Sequence, residues 1–158
     1  MIHGNEPCVA AICVSPGGIP KKSVQDVYVK TAGLEGDGHN HEKHRNPLQA
    51  VCLQDIEKLQ ELCQEGFDLT CGSIGENLTV CRLDVQRLPI GTILEFSGGV
   101  VLELTKIRKP CYVLDSINPK LKEVIIDRCG FYARVLREGT LKQGERISTR
   151  KHFVHSTL

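Results

Sequence analysis

The chain has 158 residues, 41% hydrophobic and 25% charged, with 20 lysines and arginines against 19 aspartates and glutamates for a formal net charge of +1. That length predicts one domain, large enough to bury a sizeable core. The balanced charge, without a long basic block, argues against a nucleic-acid or membrane-surface protein. The opening stretch, MIHGNEPCVAAICVSPGG, has an apolar run at 9–14 but no cationic flank. The run is too short to span a membrane and lacks the features of a secretory signal, so it predicts a first strand in a cytoplasmic chain. In that compartment the eight cysteines are expected as reduced thiols. No CxxC pair occurs and the histidines at 39, 41 and 44 show no finger spacing, so no zinc is expected.

Pro16-Gly17-Gly18 ends the first strand. Residues 24–30 predict a second, with Val27 and Val29 on one face and Asp26, Tyr28 and Lys30 on the other. A polar, glycine-rich loop follows at 33–47, then a short apolar strand at 49–53. Residues 55–65 predict the clearest helix: Asp55 is its candidate N-cap, Ile56, Leu59 and Cys63 recur at helical spacing, and Gly66 stops it. Cys63 is read as a packing residue. Strands are predicted at 78–81, 92–96 and 100–107, the last two joined as a hairpin through Ser97-Gly98-Gly99. Asn118-Pro119, with Leu121, Val124 and Ile125, predicts a short capped helix. Strands at 131–137 and 146–149 complete the set, and 151–158 reads as a tail. Many short strands, two or so short flanking helices and glycine at most turns predict a mainly-β fold, a closed or near-closed barrel.

Chemistry-bearing residues gather in the connections. The stretch LELTKIRKPCYVL at 102–114 runs from an apolar strand into Lys106, Arg108, Lys109, Pro110 and Cys111. Pro110 stiffens the corner, and nearby cations favour the thiolate, which is the nucleophile and the metal ligand. A free cysteine is also a common small core residue, and that reading stands beside the first. GLEGDGH at 33–39 offers Asp37 and His39 to a ligand, or lets Asp37 bond its own turn. His44-Arg45 is a cation pair suited to an anion or to solvent. Glu76 and Asn77 in GSIGENLTV either meet a ligand's polar edge or cap local backbone. In the strand 131–137, Tyr132, Arg134 and Leu136 share a face, pointing inward or outward. Nucleophile-elbow, P-loop, zinc-protease and dinucleotide signatures are absent.

In order, GLEGDGH at 33–39, GENLTV at 75–80, LPIGTILEF at 88–96, RKPCYVL at 108–114 and GFYARVLREGTLKQGE at 130–145 resemble the MOSC domain, named for the C-terminal domain of molybdenum-cofactor sulfurase. The likeness is to a stand-alone bacterial-type member and spans roughly 8–148, so residues 1–158 are expected to be one such β-barrel domain with its tail at 151–158. It implies binding of the molybdenum cofactor, a molybdopterin, or handling of sulfur for metal centres. It assigns Cys111 as metal ligand or sulfur carrier. Asp37, His39, Arg45, Glu76, Asn77, Arg108, Lys109 and Arg134 become cofactor contacts. The partners it implies are a pterin-type small molecule and a sulfur donor or reductase protein. Two other readings remain: a molybdenum-dependent reductase of N-hydroxylated compounds served by a separate electron donor, and a non-catalytic pterin or small-anion binding module. Cys81-Arg82 stands where many relatives carry an acidic residue and a glycine, and HEKHRNPLQ lacks the double glycine that many members place before the next strand.

Overall fold

The computed structural model describes residues 4–38 and 46–151. His39, His41, His44, Arg45 and residues 152–158 lie outside the described residues. Among those described there are eleven strands and two α-helices, so the mainly-β expectation holds. In chain order they are β1 Cys8–Val14, β2 Lys22–Val24, β3 Asp26–Lys30, β4 Gly33–Leu34, β5 Val51–Asp55, α1 Ile56–Gln64, β6 Leu78–Cys81, β7 Ile93–Phe96, β8 Val101–Ile107, α2 Leu121–Val124, β9 Phe131–Arg137, β10 Gly139–Lys142 and β11 Ile147–Arg150. No helix among them is long and apolar enough to cross a membrane.

Eight strands pair in the order β11-β7-β8-β9-β5-β6-β1-β2, and β10-β3-β4 form a second sheet. Every pairing in the larger sheet is antiparallel except β5 with β6, which is parallel and needs the crossover that α1 supplies. The strand faces follow the sequence. In β3, Val27 and Val29 are buried while Asp26, Tyr28 and Lys30 are exposed. Those valines, with Leu34 and Leu141 of the smaller sheet, pack against Val9, Ile12, Leu53, Leu78, Leu94, Leu102, Leu104 and Phe131 of the larger one. A second buried cluster of Leu59, Leu62, Leu69, Ile74, Leu114, Leu121, Ile125 and Cys129 sits under α1, α2 and the segment between β8 and α2.

Several expectations need correction. No ladder closes the larger sheet into a barrel; β11 and β2 are its two ends. The segment 143–147 ahead of and into β11 meets the start of β1, where Val9 N–H donates to Glu145 O at 2.9 Å, Ile147 N–H donates to Pro7 O at 2.9 Å, and Cys8 bridges Arg146. The strand expected at 24–30 is split by Gln25 into β2 and β3. The one expected at 49–53 begins only at Val51, because Asn46 caps a 3-10 turn over Pro47–Gln49. In α1 the buried face is Leu59 and Leu62; Cys63 is exposed and its thiol donates to Leu69 O at 3.2 Å. Asp55 precedes α1 without capping it, since its carboxylate accepts from Val85 N–H and Gln86 N–H across the fold.

Candidate functional site

Five segments converge where β8 ends. The β8–β9 pairing continues one step past the strand, with Arg108 N–H donating to Gly130 O at 3.0 Å. This carries the Arg108 side chain inward, and the residue is only 8% exposed. Its Nη2 donates to Ile74 O at 2.5 Å, while Nη1 has no hydrogen-bond partner among the described residues. Cys52, Cys129, Tyr132 and Glu76 surround the guanidinium closely enough to act on it electrostatically. Burial opposes the guanidinium charge, and these four neighbours more than offset it, so its pKa is raised and Arg108 stays cationic. The Cys52 and Tyr132 side chains lie within hydrogen-bonding reach of the guanidinium, and a donor on a buried cation is costly unless something accepts from it.

Glu76 lies in the loop facing Arg108. Its side chain is buried, Oε2 accepts from Thr79 Oγ1 at 3.1 Å, and Oε1 has no partner among the described residues. Burial pushes its carboxyl above the usual range, against the pull of Gly72 and Glu76 backbone N–H groups, the Thr79 hydroxyl and Arg108. Gly75 has φ +93° and lets this loop lie on the cation: a Cβ there would stand 2.9 Å from Ile19 Cγ2 and 3.6 Å from Arg108 Nη2. Gly130 serves β9 similarly, since a Cβ would stand 2.0 Å from Leu53 O.

Asp37 and Asn77 lie together but turn their polar atoms on the protein itself. Asp37 Oδ1 accepts from Ser15 N–H at 3.0 Å, and Lys21 Nζ reaches Oδ2 at 2.8 Å. Asn77 Nδ2 donates to Asp37 Oδ2 at 2.9 Å and to Cys13 O at 3.2 Å, while its Oδ1 accepts from Cys52 N–H at 3.0 Å. This pair ties β1, β5 and the loop before β6 into one wall.

Cys111 lies three residues beyond Arg108. It is extended, at φ −135° and ψ 173°, and begins the 3-10 turn Tyr112–Ser116. Its side chain is exposed, as are Lys109 and Tyr112, the last at 82%. Cys129 beneath it is buried, and its thiol is pushed up to about 11, first by burial. The chain thus presents an exposed cysteine three residues beyond a buried cation; Cys71, half-buried, lies near Thr79 and Glu76. Arg134 is not part of this group: it points outward from β9 and pairs with Glu103 at 2.5 Å. His39 and Arg45 fall outside the described residues.

The residues sequence reasoning passed over are Lys21, Cys52, Thr79, Cys129 and Tyr132. Of these only Tyr132 carried a signal, its place on the alternating β9 strand. A surface crevice of about 380 Å³ opens elsewhere, lined by Asp55, Glu57, Lys58, Arg82 and Asp84, none of them an expected site residue.

A family profile described as the MOSC domain matches residues 37–148. A protein of Gibberella moniliformis named "Reductase" is 30% identical over 132 residues, which cover 77% of this chain and 23% of that one. The uncharacterised protein YflK of Bacillus subtilis is 31% identical over 137 residues, covering 81% and 59%. The chain therefore spans under two thirds of either relative. Among solved structures, YuaD of Bacillus subtilis superposes with a TM-score of 0.79 at 16% identity, covering 93% of this chain and 97% of that one. YiiM of Geobacillus stearothermophilus superposes at 0.75 with 25% identity, covering 94% and 77%.

Proposed function

Because the chain belongs to the MOSC domain family, we propose that it binds a molybdenum–pterin cofactor, with the Cys111 thiolate as the protein's ligand to the metal. One observation carries this reading: an accessible sulfur three residues from a buried guanidinium whose Nη1 lacks an acceptor. The donor set fits such a group. Molybdenum accepts soft thiolate, and an anionic phosphate or oxo group would satisfy Arg108 once the packing that shuts its Nη1 from solvent opens. Lys109, exposed beside Cys111, adds charge at the rim. Glu76, fully buried beside Arg108, would act on a bound group through the charge and position of that guanidinium. Asp37 and Asn77 act indirectly, keeping the wall in place.

When bound, such a cofactor supplies two-electron redox or oxygen-atom chemistry. The residues here bind and orient it; nothing among them replaces an electron donor. The name of the Gibberella relative, "Reductase", supports a reductive role, for which electrons would come from a donor outside the residues described. In the rival reading, Cys111 carries sulfane sulfur as a persulfide.

The test is expression in hosts with and without cofactor synthesis, followed by metal analysis and fluorescence of the oxidised pterin. Near-stoichiometric molybdenum and pterin are expected in the competent host only. Cys111→Ser should lose the metal yet change stability by no more than about 0.5 kcal/mol, as an exposed side chain allows. Cys63→Ser, exposed on α1, should keep both. Equal metal content in wild type and Cys111→Ser refutes the assignment. A persulfide at Cys111 with no metal favours the carrier.

A further inference from the structure

A second pair of sulfurs lies away from Cys111. Cys8 opens β1 and Cys81 closes β6, and the two residues stand opposite each other in the antiparallel register. Their Sγ atoms are 2.6 Å apart. Directly opposed residues of antiparallel strands have Cα atoms about 4.5–5.5 Å apart, within the span a disulfide bridges without moving the backbone. Arg82 follows with φ +57°, and its Nη2 reaches Cys8 Sγ at 3.5 Å while its Nε donates to Glu6 O at 3.0 Å. The same arginine lines the crevice with Glu57, whose carboxylate accepts from Arg82 N–H at 2.9 Å.

We propose that Cys8 and Cys81 form a redox-sensitive dithiol that closes to a cross-strand disulfide on reaction with a small disulfide such as oxidised glutathione. One protein thiolate attacks a glutathione sulfur; the mixed disulfide forms and one glutathione thiolate leaves and takes a proton. The second protein thiolate then attacks the protein sulfur of that mixed disulfide. The Cys8–Cys81 bond forms and the second glutathione leaves. The chain gives up two electrons and two protons, and the oxidised glutathione becomes two reduced molecules.

The surroundings shape the rates. Burial, and then the hydrogen bond with Cys81, push the Cys8 thiol up to about 11, with Arg82 pulling the other way. Thiols of high pKa are poor leaving groups, so the closed bond would resist reopening. Cys8 and Cys81 are buried, and the exposed Arg82 side chain lies against Cys8, so reaction with glutathione requires that side chain to move aside. The inference needs no cofactor and stands apart from the role given to Cys111.

The test treats the purified full chain with oxidised glutathione, quenches it in acid, and maps it by mass spectrometry without reduction. Loss of two hydrogens and a linked peptide holding Cys8 and Cys81, both reversed by dithiothreitol, is the expected result. The Tm should rise by roughly 5–15 °C on closure, because the bond ties strands far apart in sequence. Cys81→Ser should show neither the linkage nor the rise; the wild-type map decides the matter if that variant does not fold. Glutathione adducts without a linked peptide, or a bond joining either residue to another cysteine, would overturn it.

Discussion

Asn77 shows how a residue marked by its motif turns out to work through others. Every polar atom of its side chain is engaged: Oδ1 by Cys52 N–H, Nδ2 by Cys13 O and Asp37 Oδ2. Its backbone adds bonds to the same two strands, from Cys13 N–H and to Cys52 O. A buried amide so placed has no atom left for a ligand, so its effect on any bound group passes through the wall it holds. Truncation strands a buried N–H, a carbonyl and part of a carboxylate, each expensive to leave unpaired. Asn77→Ala should therefore cost about 2–4 kcal/mol, read as a lowered urea midpoint with an unchanged slope. A loss below about 0.5 kcal/mol would mean these bonds are replaced by water, and Asn77 would again be open to a direct role. The motif made the position visible but could not separate the roles, because the partners lie 25, 40 and 64 residues away.

At the scale of elements, alternation was the strongest guide. The faces of β3 and β9 follow period two, and the glycine hairpin between β7 and β8 forms where its residues demand. What escaped depended on distant pairing. β10 has one buried side chain, Leu141, and exists because it pairs with β3 more than a hundred residues earlier. The start of α1 falls where expected, with Asp55 at its N-cap position, but the work of that side chain is hidden for a similar reason. Asp55 looks like a helix cap, yet its oxygens take Val85 N–H at 2.8 Å and Gln86 N–H at 3.1 Å, locking the 3-10 turn Val85–Arg87 against the end of β5. Burial pushes this carboxyl up to about 6 from a model-peptide value of 3.8, despite the two N–H donors. Its folded pKa lies above its unfolded one, so between about pH 4 and pH 6 the native state binds more protons. Its contribution to stability is complete below that window and is lost as pH rises through it, by at most about 3 kcal/mol. Asp55→Asn removes the titration. The difference in unfolding free energy, variant minus wild type, should climb from pH 4 to pH 6.5 and then level off. A flat difference would show that Asp55 ionises in the folded protein as it does in the unfolded chain.

At the largest scale, the described residues form two cores, and the candidate site draws on both. The sheets enclose the larger core and set the positions of β8 and β9. Cys111 itself leaves that framework, and the segment after it is held by Leu114, Leu121, Ile125 and Cys129 of the smaller core, which also contains Ile74, the acceptor for Arg108. The RKPC corner is singled out in the sequence by its local chemistry. The division of cores was hidden, since apolar residues at 114, 121 and 125 look alike whichever cluster they join. Removing a buried leucine from either core costs about 2–5 kcal/mol, but the loss should be distributed differently. Leu121 is fully buried in the smaller cluster and Leu94 in the larger. Leu121→Ala should speed amide hydrogen exchange chiefly over residues 112–128 and leave β7, β8 and β9 near wild-type protection, because a small core opens sub-globally. Leu94→Ala should lower protection across the sheet. If cofactor binds as proposed, Leu121→Ala releases it faster at a temperature where both variants stay folded, since the ligand sulfur rides on the segment that opens. Equal acceleration across both cores in Leu121→Ala would mean the protein unfolds as one unit, and the site would then be as rigid as the sheet beside it.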